Sequence, residues 1–376
     1  MTTDHYRNVV LGAGAMGLAT AYHLARRGEP VALIEQFSLG HDRGSSHGAA
    51  RIIRHSYADP SYARLMPAAF DAWRCLEVDA CQTLYLRSGG VSFGPRDAPY
   101  VDQVTSNLDN LGVAHRRMTG LDWSRCHPEF RLPDSFAVVF EPDAGVLMAA
   151  KALAAEVELA RSLGPDTRII EHTPIDRIDL DGPRPTLIAA HRRIEADRLI
   201  VTAGAWTSRL IPTLADRLRP TRQVVFYLKP AHPEPFSLGR FPVFIFKGPG
   251  ELDAFYGMPS VLGLGVKVAR HGGLAVDPDE TEREVTELDR RPVLSFLQSF
   301  LPALADSPIE KTEVCLYTMA DDEQFQLGNP AGRGDVIVAS PCSGHGFKFS
   351  CLIGSILADL ALEGRTDHDV TNWRFK

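Results

Sequence analysis

The stretch Tyr6-Arg-Asn-Val-Val-Leu-Gly-Ala-Gly-Ala-Met-Gly17 decides the fold of the first part of this chain. Its run Val-Val-Leu is typical of a short buried strand, and the residues that follow Gly17 carry helical periodicity. A second apolar run, Pro30 to Ile34, ends at the acidic Glu35. Strand, glycine-rich turn, helix, second strand and acid together predict a βαβ unit that binds an adenine dinucleotide.

Each part of this G-x-G-x-x-G pattern has a physical task. Gly12 permits the tight turn, Gly14 lets a pyrophosphate approach the backbone, and Gly17 lets the helix pack on the sheet. The start of the helix offers free N–H groups to the phosphates, and Glu35 is placed to hydrogen-bond a ribose hydroxyl. The spacing alone does not choose between NAD and FAD.

Length, charge and cysteine content limit the possible functions. A chain of 376 residues suits two domains, and a net charge of −7 without a basic stripe argues against nucleic acid as a partner. No run approaches the roughly 20 apolar residues of a membrane span, and the first strand starts too early for a signal peptide, so we expect a cytoplasmic protein. The cysteines show no metal-ligand spacing, so we expect no metal site; they are Cys75, Cys81, Cys126, Cys315, Cys342 and Cys351.

The first and last segments of the chain both resemble nucleotide-domain sequence, which predicts two interleaved domains. We assign the cofactor domain to residues 1–85, 146–218 and 311–376, and the substrate domain to residues 86–145 and 219–310. Helical patterns outside the opening unit cover residues 62–81, 101–111, 148–163 and 349–362, and the acid-rich run 277–284 is expected to open one more helix.

Four further segments carry candidate chemistry. In the loop Gly44–Arg54, Arg51 and Arg54 stand three apart, so at helical spacing both guanidinium groups could face one carboxylate; a solvated basic loop fits the spacing equally well. The strand-and-turn Val201–Trp206 could bring backbone close to a nucleotide and, together with the N-terminal pattern, favours FAD. Lys267 stands in apolar sequence, where an outward position on an edge strand is the commoner outcome.

The last candidate segment, Ser343-Gly-His-Gly-Phe-Lys348, precedes the final helix. Its glycines allow a close backbone approach, and its N–H groups could face an anion. A simple helix-entry turn with an incidental lysine is the alternative.

Taken together, these motifs resemble the monomeric sarcosine oxidase family of amine-oxidising flavoproteins, which includes N-methyltryptophan and pipecolate oxidases. The resemblance spans the chain and rests on the following motifs: Gly-Ala-Gly-Ala-Met-Gly17, Gly-Ser-Ser-His-Gly48, Arg51-Ile-Ile-Arg-His55, Ala-Gly-Ala-Trp206, Cys-Leu-Tyr-Thr318, Ser-Gly-His-Gly-Phe-Lys348 and Thr366-Asp-His-Asp369. It implies an α/β fold in which a Rossmann-like FAD-binding domain of glutathione-reductase type is interleaved with an antiparallel-sheet substrate domain.

The resemblance also implies roles for individual residues. Cys315 matches the cysteine that links covalently to the flavin, and Lys267 matches the lysine near flavin N5 that assists oxygen reduction. Arg54 and Lys348 match the pair that binds the substrate carboxylate. Other matches are pocket positions (Tyr256, His271, Tyr317 and Gly344), positions beside the flavin ring (His47 and Arg51), and cofactor contacts (Gly12, Gly14, Ala15, Met16, Gly17, Glu35, Gln36, Ser45, Ser46, Ala203, Gly204, Trp206, Gly344, Gly346, Phe347 and Lys348).

The implied reaction is the oxidation of a secondary α-amino acid, N-methylated or cyclic, such as sarcosine, to an imine, with O2 reduced to H2O2. The resemblance suggests a monomer that takes a small amino acid and O2 as its only partners. The alternatives are an amine dehydrogenase with another electron acceptor, a tailoring oxidase for a larger amino acid, and a flavin-binding protein without turnover. Three positions depart from the family pattern: Ala49-Ala50, Gln324-Phe-Gln-Leu327, and Arg270, which we expect to alter the charge of the pocket.

Overall fold

The computed structural model describes residues 2–164, 166–250, 254–329, 332–373 and 375. Within these residues, nineteen strands and nine α-helices are arranged around three sheets. None of the helices in this described part of the chain is both long and apolar enough to cross a membrane.

The bounds of the strands and helices are as follows. The strands are β1 Thr2–Leu11, β2 Ala32–Ile34, β3 Arg51–Ile53, β4 Tyr85–Arg87, β5 Gly90–Pro95, β6 Arg116–Thr119, β7 Phe136–Glu141, β8 Gly145–Leu147, β9 Arg168–Ile170, β10 Arg177–Asp179, β11 Thr186–Ala189, β12 Arg192–Val201, β13 Leu218–Leu228, β14 Val243–Lys247, β15 Ala254–Met258, β16 Val266–Arg270, β17 Ile309–Ala320, β18 Gln326–Gly328 and β19 Val336–Ser340. The helices are α1 Ala15–Arg26, α2 Pro60–Ala80, α3 Tyr100–Asn110, α4 Gly120–Cys126, α5 Ala149–Leu163, α6 Thr207–Leu210, α7 Glu287–Phe300, α8 Pro302–Ala305 and α9 Ser350–Glu363.

The first sheet is the nucleotide-type sheet that the opening motif predicts. Its centre is parallel, in the order β19-β12-β1-β2-β9, and β10, β11 and β18 extend it in antiparallel fashion. Helices α1, α5 and α9 pack with the side chains of this sheet around one apolar core. Because both faces of a parallel sheet are covered, its strands are continuous apolar runs, and Val9 and Val10 are fully buried.

The second sheet has the order β17-β13-β16-β15-β14-β5-β7-β6. Its pairs are antiparallel, as predicted, except that β14 and β5 run parallel. An aromatic core on one face, which includes Phe244 and Phe255, packs against Phe296 of α7. A third, small sheet joins β3, β8 and β4. The mixed α/β class predicted from the sequence is thus confirmed.

The boundaries of the two domains stay a prediction, but one strand lies across them. Strand β17, most of which falls in the segment 311–376 assigned to the cofactor domain, is paired along nearly its whole length with β13 in the second sheet. The sequence of β17 marks a strand well, whereas the choice of partner depends on residues almost a hundred positions earlier. The sequence of a strand alone therefore does not determine the sheet that the strand joins.

The predicted helices 62–81, 101–111, 148–163 and 349–362 are present as α2, α3, α5 and α9, with ends that agree within two residues. The prediction that the acid-rich run 277–284 opens a helix is wrong. Helix α7 begins later, at Glu287, where Thr286 and Asp289 form a capping box. Asp277 lies in the segment before α7 and pairs with Arg209 at 3.0 Å.

One carboxyl group is buried between the helices that cover the first sheet. Glu156 of α5 is 1% exposed, and its Oε1 accepts a hydrogen bond from the Cys351 thiol of α9 at 3.6 Å. Its Oε2 has no partner among the described residues. Burial raises the pKa of Glu156 to about 8, because the charged form loses its hydration. This carboxyl is therefore protonated in the folded protein at neutral pH.

The buried Glu156 carboxyl makes stability depend on pH. Its pKa is higher in the folded chain than in the unfolded chain, so stability is fully present below the unfolded value and is lost as pH rises toward about 8. Glu156→Gln removes this dependence. The free energy of unfolding of the variant, minus that of the wild type, should therefore increase by about 1.4 kcal/mol for each pH unit between pH 5 and 7.5. Denaturant unfolding at these two pH values measures the difference.

The control is Glu158→Gln on the exposed side of the same helix. It should change the free energy of unfolding by the same amount at both pH values. Equal pH dependence in wild type and Glu156→Gln would show that Glu156 is already ionised in the folded protein.

Candidate active site

A cavity of about 1410 Å³ lies at the carboxyl ends of β1 and β2 and extends to β13, β15, β16 and β17 of the second sheet. Of the site residues predicted from the sequence, Gly17 alone does not line it. The cavity brings together the following predicted residues: Gly12, Gly14, Ala15, Met16, Glu35, Gln36, Ser45, Ser46, His47, Arg51, Arg54, Ala203, Gly204, Trp206, Tyr256, Lys267, His271, Cys315, Tyr317, Gly344, Gly346, Phe347 and Lys348.

The glycine turn has no room for side chains at two of its positions. Gly12 has a φ of +102°, and a Cβ there would lie 2.6 Å from the carbonyl oxygen of Thr202, which directly follows β12. A Cβ at Gly17 would lie 1.8 Å from the carbonyl oxygen of Gly12. Gly17 therefore has an indirect role. Because it has no side chain, α1 can pack closely on the end of β1, and the start of the helix then faces the cavity.

The start of α1 and the end of β2 are joined by hydrogen bonds. Glu35 is 5% exposed, and its Oε2 accepts the backbone N–H of Ala13 at 2.8 Å while Oε1 accepts that of Phe37 at 3.0 Å. Gly14 caps α1 without a side chain, and Ser46 Oγ accepts the N–H of Ala15 at 2.9 Å. The predicted contact of Glu35 with a ribose hydroxyl stays a prediction, but the carboxylate stands at the cavity wall.

Arg51 and Arg54 have different contacts. The prediction that they are related by helical spacing is wrong, because Arg51 lies in strand β3 and Arg54 directly follows it. Arg51 begins strand β3, and its guanidinium donates to the carbonyl oxygens of Ser45 at 2.7 Å and of His47. Arg51 therefore holds the loop that borders the cavity in shape, whereas Arg54 takes no part in this network.

Arg54, which is half-buried, and Lys348, which is buried, form a pair of basic side chains. Nε and Nη1 of Arg54 are buried and have no hydrogen-bond partner among the described residues, and its Cζ lies 4.3 Å from the Tyr57 ring centroid. Lys348 is 7% exposed and donates to the Tyr57 hydroxyl at 3.0 Å and to the His345 carbonyl oxygen at 2.7 Å. Burial and the neighbouring Arg54 hold the pKa of Lys348 well below its usual range. An anion bound here would offset the electrostatic cost of burying both basic groups without a partner.

A neutral aromatic wall stands beside these cations. The hydroxyl groups of Tyr256 and Tyr317 are 3.0 Å apart, and the His271 ring centroid lies 5.5 Å from that of Tyr317. Burial, with Lys247 and Lys348 nearby, lowers the pKa of His271 to about 4. The imidazole is therefore neutral at physiological pH, and this wall offers hydrogen bonds without charge.

Lys267 points into the molecule and not outward. It is 4% exposed, and its Nζ donates to the Ala50 carbonyl oxygen at 3.1 Å. Burial, followed by the nearby Arg51 charge, lowers the pKa of Lys267 to about 7. Arg270, which we expected to alter the pocket charge, follows Lys267 by three residues on the same strand, so it lies on the opposite face of the sheet.

Cys315 is 8% exposed and lines the cavity from β17. Burial raises the pKa of its thiol, while the positive charges of Arg51 and Lys267 act in the opposite direction. At His47, in contrast, burial and Arg51 act in the same direction, and they lower the pKa to about 4. The positive charge that a reactive thiol needs is present, although burial outweighs it.

The remaining predicted segments form two turns at the cavity. Trp206 ends a 3₁₀ turn that starts at Gly204, and its indole N–H donates to Asp279 at 2.7 Å. Phe347 and Lys348 lie in a second 3₁₀ turn, and the Lys348 carbonyl oxygen accepts the indole N–H of Trp73 at 2.7 Å. Both turns are thus tied to distant parts of the chain.

Sequence reasoning missed three residues of the site: Tyr57, Tyr227 and Glu313. Tyr57 contacts both basic side chains of the pair. Glu313 accepts hydrogen bonds from Tyr227 at 2.9 Å and from Lys311 at 2.8 Å. A signal for Glu313 was available, because it stands two positions before Cys315 in a strand and so shares its face. Among the described residues, no cluster of three His, Cys, Asp or Glu suits a metal ion.

Comparison with known proteins identifies relatives along the whole chain. A family model described as FAD dependent oxidoreductase matches residues 7–360. The monomeric sarcosine oxidase of Bacillus sp. (strain B-0618) is 32% identical over 376 residues, which cover 98% of this chain and 95% of that protein. The N-methyl-L-tryptophan oxidase of Salmonella arizonae is 29% identical over 373 residues and covers 98% of each.

Among solved structures, that of NikD, described as an unusual amino acid oxidase essential for nikkomycin biosynthesis, is similar with a TM-score of 0.86. The identity is 25%, and the match covers 99% of this chain and 97% of that chain. It confirms the fold expected from the opening glycine motif. Because the family model spans most of the sequence and the relatives align with nearly all of it, this chain belongs to the family of FAD-dependent oxidoreductases.

Proposed function

We propose that this chain oxidises a secondary α-amino acid, N-methylated or cyclic, such as sarcosine, to an imine, and that O2 is reduced to H2O2. The observation that carries this proposal is the pair of basic side chains, Arg54 and Lys348, whose charges no described side chain neutralises. Relatives named for the oxidation of sarcosine and of N-methyl-L-tryptophan support the same class of substrate.

The cavity fits FAD. The start of α1 is capped by Gly14 without a side chain, so its dipole and its N–H groups, apart from that of Ala15, which donates to Ser46 Oγ, are available to a pyrophosphate. Glu35 stands next to this turn, and the cavity continues from there past Arg51 to Cys315. We infer that the turn and Glu35 hold the adenosine half, and that Cys315 anchors the flavin half covalently.

The bound flavin would supply the redox chemistry, taking two electrons from the amine and passing them to an acceptor. The protein orients the substrate. A carboxylate between Arg54 and Lys348 would receive charge-assisted hydrogen bonds and fix the position of the α-carbon.

The same positive charges select the protonation state of the amine. An ammonium group is disfavoured next to Arg54 and Lys348, so the substrate nitrogen loses its proton more readily in the site than in water. Tyr256, Tyr317 and the neutral His271 surround it with groups that carry no charge. The nitrogen lone pair is then free for oxidation. Lys267 would supply positive charge for the reduction of O2.

Gly344 shapes the pocket between these groups. Its φ is +75°, and a Cβ there would lie 2.4 Å from Cε2 of Tyr317 and 2.5 Å from Cε1 of His271. The tyrosine and the imidazole therefore depend on the missing side chain for their positions.

An anaerobic screen of secondary and primary amino acids, followed by flavin bleaching, tests the proposal directly. Sarcosine or a related secondary amino acid should bleach the flavin, and Arg54→Met should weaken its binding by about 100-fold, because a buried charge partner is lost. Arg54→Lys keeps the charge without the planar fork and should be intermediate. Equal bleaching by amines without a carboxylate would contradict the role of the cation pair.

Gly344→Ala should abolish or strongly weaken substrate binding, since the new methyl group displaces Tyr317 and His271. Gly263→Ala is the matched control: Gly263 has the same φ of +75°, but a Cβ there meets nothing within 4 Å. Both variants carry the same backbone strain, of about 1 kcal/mol, and Gly344→Ala adds the collision with Tyr317 and His271, so it should lose at least as much thermal stability as Gly263→Ala. Only Gly344→Ala should fail in a spectral titration with the substrate that the screen identifies.

Covalent attachment has its own test. After acid precipitation, the yellow colour of the wild type should stay with the protein, whereas Cys315→Ala should release it to the supernatant. Cys342→Ala is the control, because Cys342 also lines the cavity, and its colour should stay bound. Free flavin from the wild type would overturn the assignment of Cys315.

A further inference from the structure

A row of polar side chains lies behind Lys267 on three neighbouring strands. Lys267 of β16 is paired with Tyr227 of β13, and Tyr227 is paired with Lys311 of β17. Both ammonium groups lie 5.7 Å from the Tyr227 ring centroid. Two cations thus flank one aromatic ring, and Lys311 reaches solvent while Lys267 does not.

Glu313 is the acid of this row. Its side chain is 11% exposed and lines the cavity. Oε2 accepts the Tyr227 hydroxyl at 2.9 Å, and Oε1 accepts Lys311 Nζ at 2.8 Å. It also borders Gly48, where a Cβ would lie 2.8 Å from Glu313 Oε2 and 3.2 Å from Arg51 Nη1. The carboxylate is therefore fixed from two sides, next to the loop that Arg51 organises.

The charge of Lys267 depends on this neighbourhood. Burial and Arg51 lower the pKa of Lys267, Glu313 raises it, as a Cys315 thiolate would, and Lys311 lowers it; the result is about 7. The pKa of Glu313 is itself held below its usual value by the hydrogen bond from Lys311 and by Lys267, against the effect of burial. Glu313 is therefore an anion at every pH at which Lys267 titrates.

We propose that Glu313 is a positioning residue that keeps Lys267 protonated, and that it thereby sets the pH range in which the site reacts with O2. This inference rests on the proposed function for its second half, the role of Lys267 toward O2. The first half, the coupling of Glu313 to Lys267, is a property of the protein alone. The role of Glu313 is indirect: it contacts neither substrate nor O2 and acts through Lys267.

Two variants with opposite electrostatic effects test the coupling. Glu313→Gln removes the anion while the amide oxygen still accepts from Tyr227, so the pKa of Lys267 should fall by about one unit. Lys311→Met removes a like charge, so the pKa of Lys267 should rise by about half a unit. A merely structural disturbance would move both variants in the same direction.

The pKa is measured by NMR on the FAD-loaded protein with carbon-13 at the lysine ε position. Seven lysines occur in the chain, so the spectrum stays simple, and Lys267→Met assigns the signal; they are Lys151, Lys229, Lys247, Lys267, Lys311, Lys348 and Lys376. An unchanged Lys267 titration in Glu313→Gln, or shifts of the same sign in both variants, would overturn the proposal.

Stopped-flow oxidation of the reduced protein as a function of pH tests the second half. In Glu313→Gln the reaction with O2 at pH 8 should be on the order of tenfold slower, since one unit changes the ammonium fraction about tenfold above the pKa. Anaerobic reduction by substrate should not change. If Lys267→Met reacts with O2 at the wild-type rate, the oxygen role is overturned; the NMR shifts decide separately whether the coupling stands.

Discussion

Two basic side chains, Arg54 and Lys348, lie close together at the cavity, and no acid among the described residues pairs with either of them. This is the constraint on which the site depends. An unpaired charge in a protein interior costs several kcal/mol, and a second one of the same sign adds repulsion. The chain holds Arg54 and Lys348 in place with neutral groups: the Tyr57 hydroxyl accepts from Lys348, and the Tyr57 ring lies against Arg54.

The electrostatic environment thus differs between the two ends of the cavity, one at Arg54 and the other at Lys267. At the Arg54 end the positive charge is left unbalanced, which favours a bound anion. At the Lys267 end, the charge is adjustable, since Glu313, Arg51 and Lys311 act on it with opposite signs. The guanidinium charge of Arg54 is permanent, which suits the binding of a group that is always ionised, such as a carboxylate. An adjustable charge suits a step in which negative charge appears and disappears.

The sequence predicted the elements of the fold better than their partners. The G-x-G-x-x-G turn predicts its own strand and helix because the geometry is local, and the structure has β1 and α1 there. Local patterns could not show that β17 pairs with β13, or that Asp277 binds Arg209 and so stays out of α7, because both depend on residues distant in sequence.

The same limit applies to the site. Local sequence could not decide whether Lys267 faces inward, and only the resemblance to a family gave that answer before the structure did. Tyr57 and Glu313 were missed because neither stands in a recognised motif. Their importance comes from contacts with Lys348 and Lys311, which the fold creates.

Strand β17 carries Lys311, Glu313, Cys315 and Tyr317 at every second position, at intervals of about 7 Å. The last three of these residues line the cavity, and Lys311 lies at its solvent side. The strand places these groups at regular intervals between solvent, at Lys311, and the neutral aromatic wall, at Tyr317. Its weakness follows from the same regularity: a single inserted or deleted residue before Lys311 would turn all four groups to the opposite face at once. A substitution in this strand therefore changes one group, whereas an insertion or a deletion changes all four together.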